Sequence, residues 1–173
     1  VPQGHEIASA PIPAMGEPLG EVVLLIDAFT SNYSPKVIDA AIKVLTHAGY
    51  TVQPVNDFDC AGRTWFSQGD VERAKLAAEK LNQRLHPHIK AGRTIVGLEP
   101  SSLLMLRDEW ALLGLSPITD GRARLFEEFL ARCSTRGELN LTLTSAAEAP
   151  SVLVHGHCYE KTVRATKAMR KVL

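Results

Sequence analysis

The sequence has no surplus of charge and no long apolar run. It carries 19 Lys and Arg residues against 19 Asp and Glu residues. Binding to nucleic-acid phosphates needs a positive surplus, so the balance argues against a nucleic-acid partner. No apolar stretch approaches the roughly 20 residues that span a bilayer, and the N-terminus has no signal-peptide pattern. We therefore expect no membrane span and a cytoplasmic location.

Cysteine is scarce, and its spacing excludes a disulfide framework. The three cysteines, Cys60, Cys133 and Cys158, are an odd number and lie far apart in the sequence. Cys133 follows Phe129 by one helical turn on the same apolar stripe, which predicts a core cysteine. The chain also lacks a Gly-rich phosphate-binding loop and a Ser-His-Asp set. Cys60 and Cys158 remain as the candidate functional thiols.

Composition divides the chain at about residue 20. Residues 1–20 hold four prolines and three glycines, which predicts a linker or an N-terminal arm. The whole chain is 45% hydrophobic. Residues 21–173 are therefore enough to form one domain with its own core. The chain starts at Val1 rather than Met and stops at Leu173 within a helical pattern. We therefore expect a piece of a longer polypeptide.

Strand and helix patterns alternate from Glu21 onward. Continuous apolar runs predict buried strands, and apolar residues at helical spacing predict helices between them. Ser34 and Pro35 mark a helix start, and Gly49 marks its end. The predicted strands are "EVVLLID", "YTVQPV", "GRTIVGLE", "LNLTL" and "VLVH"; the predicted helices are 35–48, a long helix from about Asp70, "PSSLLMLRDEWALLG", "ARLFEEFLARC" and 159–172. This alternation predicts an α/β fold, with a parallel-rich open sheet and helices on both faces.

Loops that follow parallel strands share one edge of the sheet, where ligands bind. We call this the carboxyl edge. The predicted strands would deliver four segments to it: Asp27–Tyr33, Asp59–Phe66, Glu99–Ser102 and His155–Cys158. Cys60 and Cys158 are far apart in sequence but would both lie at this edge.

The most informative of these segments is "HGHC", His155 to Cys158, at a predicted strand-to-helix turn. Gly156 permits a sharp turn, and free N–H groups at a helix start lower the pKa of a thiol. The pattern favours metal ligation or thiolate chemistry; the alternative is a packed turn with a buried cysteine.

Other groups at this edge have two interpretations each. Cys60 is either a functional loop thiol or a half-buried one, with Arg63 nearby to hold an anion or a carboxylate. Ser101 and Ser102 fit an anion site or a helix cap. Asp27 can serve catalysis or bond the neighbouring loop.

Five stretches together resemble the cysteine-rich "CCG" domain of Fe–S oxidoreductases. The closest version is the C-terminal part of FAD-linked oxidases of the glycolate oxidase and D-2-hydroxyacid dehydrogenase kind. The stretches follow the family's order from about residue 21 onward: "LLIDAFTSNYSPKVIDAAIKVLTHAGYTV", "CAGRTWFSQGDVERAK", "TIVGLEPSSLLMLRDEW", "ARLFEEFLAR" and "VLVHGHCYEK".

The resemblance implies an electron-transfer domain without turnover of its own. In this family, electrons from a flavin that oxidises a 2-hydroxyacid pass to Fe–S clusters held by cysteines. It implies Cys60 and Cys158 as cluster ligands, His157 as a further metal ligand, and FAD on a separate flavin domain of the same parent chain. The family's second cysteine is Ala61 here, its "EPSC" is "EPSS" with Ser102, and Tyr159 replaces a histidine.

Two alternatives remain at this point. One is a degenerate module without a cluster that keeps the fold for docking or scaffolding, favoured by Ala61 and Ser102. The other is a zinc site built from Cys60, Cys158 and His157 or His155, a mixture that tetrahedral zinc accepts.

Overall fold

The computed structural model describes residues 7–173 except 120, 140, 143 and 146. Its core is a sheet of four strands in the order β2-β1-β3-β4, all paired in parallel. The strands are β1 (Gly20–Asp27), β2 (Tyr50–Asp57), β3 (Thr94–Gly97) and β4 (Ala123–Leu125). The predicted α/β class with a parallel sheet is confirmed.

Eight helices surround the sheet in the described part of the chain. They are α1 (Ala28–Tyr33), α2 (Pro35–His47), α3 (Arg63–Ser67), α4 (Val71–Lys90), α5 (Pro100–Met105), α6 (Phe126–Arg136), α7 (Cys158–Thr162) and α8 (Thr166–Val172). Short 3-10 turns at Cys60–Gly62 and Glu109–Leu113 join them. Side chains alternate along β1, so that Val23 and Leu25 pack with α4 while Leu24 and Ile26 pack with α2 and α6. Two hydrophobic clusters therefore cover the two faces of one sheet.

Residues 7–19 lie beside β2, the edge strand that tolerates Pro54 within it. Ile12 and Val52 exchange backbone hydrogen bonds in an antiparallel bridge, and the Asn56 side chain bonds both backbone groups of Ile7. The segment predicted as a linker or arm covers one open edge of the sheet over this range.

One strand prediction and two helix predictions need correction. Val152–His155, predicted as a strand, has no regular structure and is exposed, with Leu153 99% accessible. The predicted strand "LNLTL" includes residues 140 and 143, which lie outside the described residues. Ala123–Leu125, predicted as helix, pairs with β3 as β4. The final helical pattern breaks into α7 and α8 at Arg164, whose φ is +59°.

Candidate functional site

Cys60 lies at the carboxyl edge of the sheet, three residues after β2 ends at Asp57. It starts a turn in which three successive residues have positive φ: Cys60 (+48°), Ala61 (+57°) and Gly62 (+89°). The Asp57 carboxylate accepts a hydrogen bond of 2.5 Å from the Ala61 N–H. Trp110 Nε1 donates to the Ala61 carbonyl at 3.1 Å. Two buried hydrogen bonds therefore hold a backbone shape that non-glycine residues rarely adopt.

Gly62 completes this turn because no other residue fits its position. A Cβ added to Gly62 would lie 2.5 Å from the carbonyl oxygen of Ala74 in α4. The turn is thus packed at Gly62 directly against the backbone of the long helix.

The Cys60 thiol is buried among carboxylates. Its relative accessibility is 1%. Burial raises the pKa of Cys60 to about 12, the Ala28 N–H lowers it only in part, and the charges of Asp57, Asp27 and Glu99 raise it further. Burial likewise raises the pKa of Asp57 to about 6, against the Ala61 hydrogen bond. Without a metal ion, this environment therefore favours the protonated thiol.

The other two strand ends bond their own loops. Asp27 accepts hydrogen bonds from the Thr30 N–H at 2.8 Å and the Thr30 hydroxyl at 2.6 Å, and so caps α1. Glu99 accepts from the Ser102 N–H at 2.7 Å and the Ser101 hydroxyl at 2.6 Å, and so caps α5. Of the two interpretations of each segment, these contacts match capping and loop bonding. The Ser102 hydroxyl is buried and makes no hydrogen bond among the described residues.

The "HGHC" segment precedes and starts α7. His157 is its N-cap: the Nδ1 atom accepts from the Tyr159 N–H at 3.2 Å, and the Glu160 carboxylate accepts from the His157 N–H at 2.8 Å. Cys158 and His155 are exposed, and Gly156 is buried against Thr166. The segment does not follow a strand, so its position does not arise from the sheet as the sequence pattern suggested.

Three side chains connect α7 to the Cys60 turn. Arg63 Nη1 donates to Glu109 Oε1 at 2.6 Å and to the Tyr159 hydroxyl at 2.6 Å, and the Tyr159 hydroxyl also bonds Glu109 Oε1. The Arg63 guanidinium lies 4.8 Å from the centre of the Tyr159 ring. Burial and the Glu109 hydrogen bond raise the pKa of Tyr159. We call this the Arg63–Glu109–Tyr159 network.

Sequence reasoning found part of this network. Arg63 was expected to hold an anion or a carboxylate, and Glu109 is that carboxylate. Glu109, Tyr159 and Asp57 were missed as site residues. The one available signal was the family position of Tyr159, while Glu109 and Asp57 carry no motif or spacing.

The segments carrying Cys60, Ser102 and Cys158 are neighbours, because α5 contacts both the Cys60–Gly62 turn and α7. The side chains nevertheless do not form a metal site: across the described ranges, no three His, Cys, Asp or Glu side chains gather as a metal ion requires. Cys60 is buried and Cys158 is exposed. At the family's ligand positions the chain supplies two thiols, Cys60 and Cys158, of the four thiolates that an Fe–S cluster usually needs. Cys60, Cys158 and His157 remain untested as ligands.

The fold and the edge define a class: an α/β module whose cysteine turn follows a strand of a parallel sheet. The chain is 28% identical over 143 residues, 82% of its length, to a D-2-hydroxyglutarate dehydrogenase of Pantoea ananatis. It is 28% identical over 142 residues to the enzyme of the same name from Escherichia coli. The chain spans about 13% of the length of each relative.

No protein-family model matches the chain, and no solved structure matches it significantly. Among the described helices, none combines the length and the apolar composition needed to cross a bilayer.

Proposed function

We propose that this chain is a CCG-type module of an FAD-linked oxidoreductase acting on 2-hydroxyacids, and that it is a cluster-free docking unit for the flavin domain of the same protein. The similarity to D-2-hydroxyglutarate dehydrogenases over 82% of the chain supports the oxidoreductase class. FAD and the substrate would then be bound elsewhere in the parent protein, in the cytoplasm.

The observation that carries the cluster-free assignment is the set of side chains at the family's cysteine positions, where Ala61 and Ser102 stand in place of two cysteines. The Cys60 thiol is buried, and without a metal ion its burial and the charges of Asp57, Asp27 and Glu99 raise its pKa to about 12. A cluster would add negative charge from sulfide and from other thiolates to this same place. The Cys60 turn is instead fixed by hydrogen bonds that need no metal.

One observation favours electron transfer through an Fe–S cluster as the second candidate function. The three segments that carry the family's ligand positions meet at α5, although Ala61 and Ser102 occupy two of those positions. In that case Cys60 and Cys158 would be cluster ligands, with His157 as a weaker one. A zinc site would use the same residues.

Metal content distinguishes these functions. The chain would be prepared without oxygen, incubated with iron and sulfide, and analysed for iron, acid-labile sulfide and zinc, with an EPR spectrum of the reduced sample. We expect well under one iron and one zinc per chain. The Cys158→Ala variant should bind as little iron and zinc as the unsubstituted chain. The same holds for Cys133→Ala, the control in the hydrophobic core.

A different result would overturn the cluster-free assignment. Iron with matching sulfide that is lost in Cys158→Ala but retained in Cys133→Ala would establish the electron-transfer function. Zinc alone, lost in the same variant, would establish a zinc module.

A further inference from the structure

Arg124 has a buried nitrogen without a hydrogen-bond acceptor. It lies in the middle of β4, the three-residue strand at one end of the sheet. Its Nε atom is inaccessible to solvent and makes no hydrogen bond among the described residues. A buried donor on a charged group is costly to leave unpaired, so such groups in native structures commonly mark an absent ligand or ion.

The charge of Arg124 is also poorly compensated. Burial lowers its pKa most, and Arg132, Arg107 and Arg136 lower it further, while Glu128 raises it. Glu128 Oε2 already accepts hydrogen bonds from Arg107 Nη1 at 2.8 Å and from the Leu125 N–H at 2.9 Å. Arginine stays protonated under these conditions, so the described residues of the site hold two guanidinium groups, of Arg107 and Arg124, against one carboxylate, that of Glu128, a surplus of about one positive charge.

A cavity of about 240 Å³ opens beside this guanidinium. Arg107 and Arg124 line it together with Glu128 and the exposed Thr119, and Ile118 and Ala123 supply an apolar wall. Gly121, at a φ of +69°, lies directly against the Arg124 guanidinium, where a side chain would displace it. Since liquid water occupies about 30 Å³ per molecule, the cavity has room for a ligand of several heavy atoms.

We propose that this cavity binds a small organic carboxylate through the Arg124 guanidinium, with its carbon chain against Ile118 and Ala123. A guanidinium presents parallel N–H groups that match the two oxygens of a planar carboxylate. One uncompensated positive charge balances a carboxylate, whereas phosphate groups carry about −1.5 to −2 at neutral pH. The proposal is independent of the function proposed above, because none of these residues belongs to the Cys60 turn or to α7.

Titration calorimetry and thermal unfolding of the 173-residue chain test this site. The probes are sodium butyrate and inorganic phosphate, each compared with sodium chloride at equal ionic strength. We expect saturable binding and a rise in Tm with butyrate. Arg124→Gln should weaken binding by at least about tenfold, as expected for loss of a charged hydrogen-bonding partner.

Two further variants separate recognition from general charge and from misfolding. Arg73→Gln makes the same change of charge on α4, at an exposed residue that pairs with Asp70. It should bind the carboxylate as tightly as the unsubstituted chain does. Arg124→Lys keeps the charge but loses the guanidinium, and should also bind weakly. Without ligand, Arg124→Gln should unfold at or above the Tm of the unsubstituted chain because it removes a partly buried cation whose Nε atom has no acceptor among the described residues.

Three results would overturn the proposal: no saturable response beyond that of sodium chloride, binding of phosphate alone, or equal loss of carboxylate binding in Arg124→Gln and Arg73→Gln.

Discussion

At the scale of single residues, hydrogen bonds and packing hold the Cys60 turn in its strained shape. Cys60 and Ala61 both have positive φ, a conformation that costs about 1–3 kcal/mol for each strained residue. The Asp57 carboxylate and the Trp110 indole hold the Ala61 peptide groups, and Gly62 allows contact with α4. The strained backbone is therefore part of how α4 packs on the sheet, which explains why the turn persists with alanine at position 61.

Gly62→Ala should destabilise the protein more than a glycine-to-alanine change at a turn where the added Cβ meets open space. The new Cβ would meet the Ala74 carbonyl at 2.5 Å, and the φ of +89° adds strain. We expect a loss of about 3 kcal/mol or more in the free energy of unfolding, measured in urea. The matched control is Gly69→Ala, which has a φ of +80° but nothing within 4 Å of the added Cβ. It should cost only about 1–2 kcal/mol, and equal losses in both variants would show that α4 does not constrain the turn.

At the scale of secondary structure, the Arg63–Glu109–Tyr159 network is the clearest connection between α7 and the Cys60 turn. Glu109 is buried, and its Oε2 atom has no hydrogen-bond donor among the described residues. Its Oε1 atom is bonded by both Arg63 and Tyr159. Tyr159 therefore stabilises a buried carboxylate and fixes the helix that Cys158 begins.

Tyr159→Phe should loosen α7 selectively. The variant keeps the ring over Arg63 but removes the hydroxyl from Glu109, so we expect a loss of about 1–2 kcal/mol in unfolding free energy. Amide hydrogen exchange should accelerate in Cys158–Thr162 before it changes elsewhere. The control is Tyr33→Phe, since Tyr33 is 81% exposed on α1. If Tyr159→Phe changed the unfolding free energy and the amide exchange of α7 as little as Tyr33→Phe does, the network would contribute nothing to the position of α7.

Sequence patterns were sufficient for the elements that are long or clearly bounded. The apolar run of β1 and the Ser34-Pro35 start of α2 predicted both correctly. β4 was missed because Ala, Arg and Leu favour helices, and only the pairing of Ala123 with Ile95 makes these residues a strand. Val152–Val154 has a strand-like sequence but no pairing partner among the described residues. Pairing and burial are tertiary properties that local patterns do not contain.

The sequence predicted where the candidate site lies in the fold, but not the burial and the charge that surround Cys60. Parallel strands put Asp27, Asp57 and Glu99 at one edge, as the alternation of elements predicts. The raised pKa of Cys60 depends on burial and on the combined charge of these three strand ends. No short stretch of sequence contains all of those groups.

At the scale of the whole molecule, β1 and β3 contribute to both hydrophobic clusters, so the two faces of the sheet share their central strands. Cys133 is buried with α2 and α6, where its sulfur lies 3.2 Å from the Tyr50 hydroxyl. Cys60 is buried at the carboxyl edge, next to Ala61 in the cluster that includes α4. Exposing either thiol should therefore require unfolding of the whole sheet, because neither face can open while the shared strands remain packed.

Thiol labelling measures this cooperativity and the accessibility of Cys60 in one experiment. In native conditions a chromogenic disulfide reagent should label one of the three thiols quickly, the exposed Cys158, and Cys158→Ala should remove that fast phase. Cys60 and Cys133 should then react together, at a rate that rises with urea in parallel with global unfolding followed by fluorescence. Cys60→Ala and Cys133→Ala assign the two slow thiols. Fast labelling of Cys60 in the native protein would mean that its thiol is open to solvent and ionises readily, which would contradict its burial in this structure and favour Cys60 as a metal ligand.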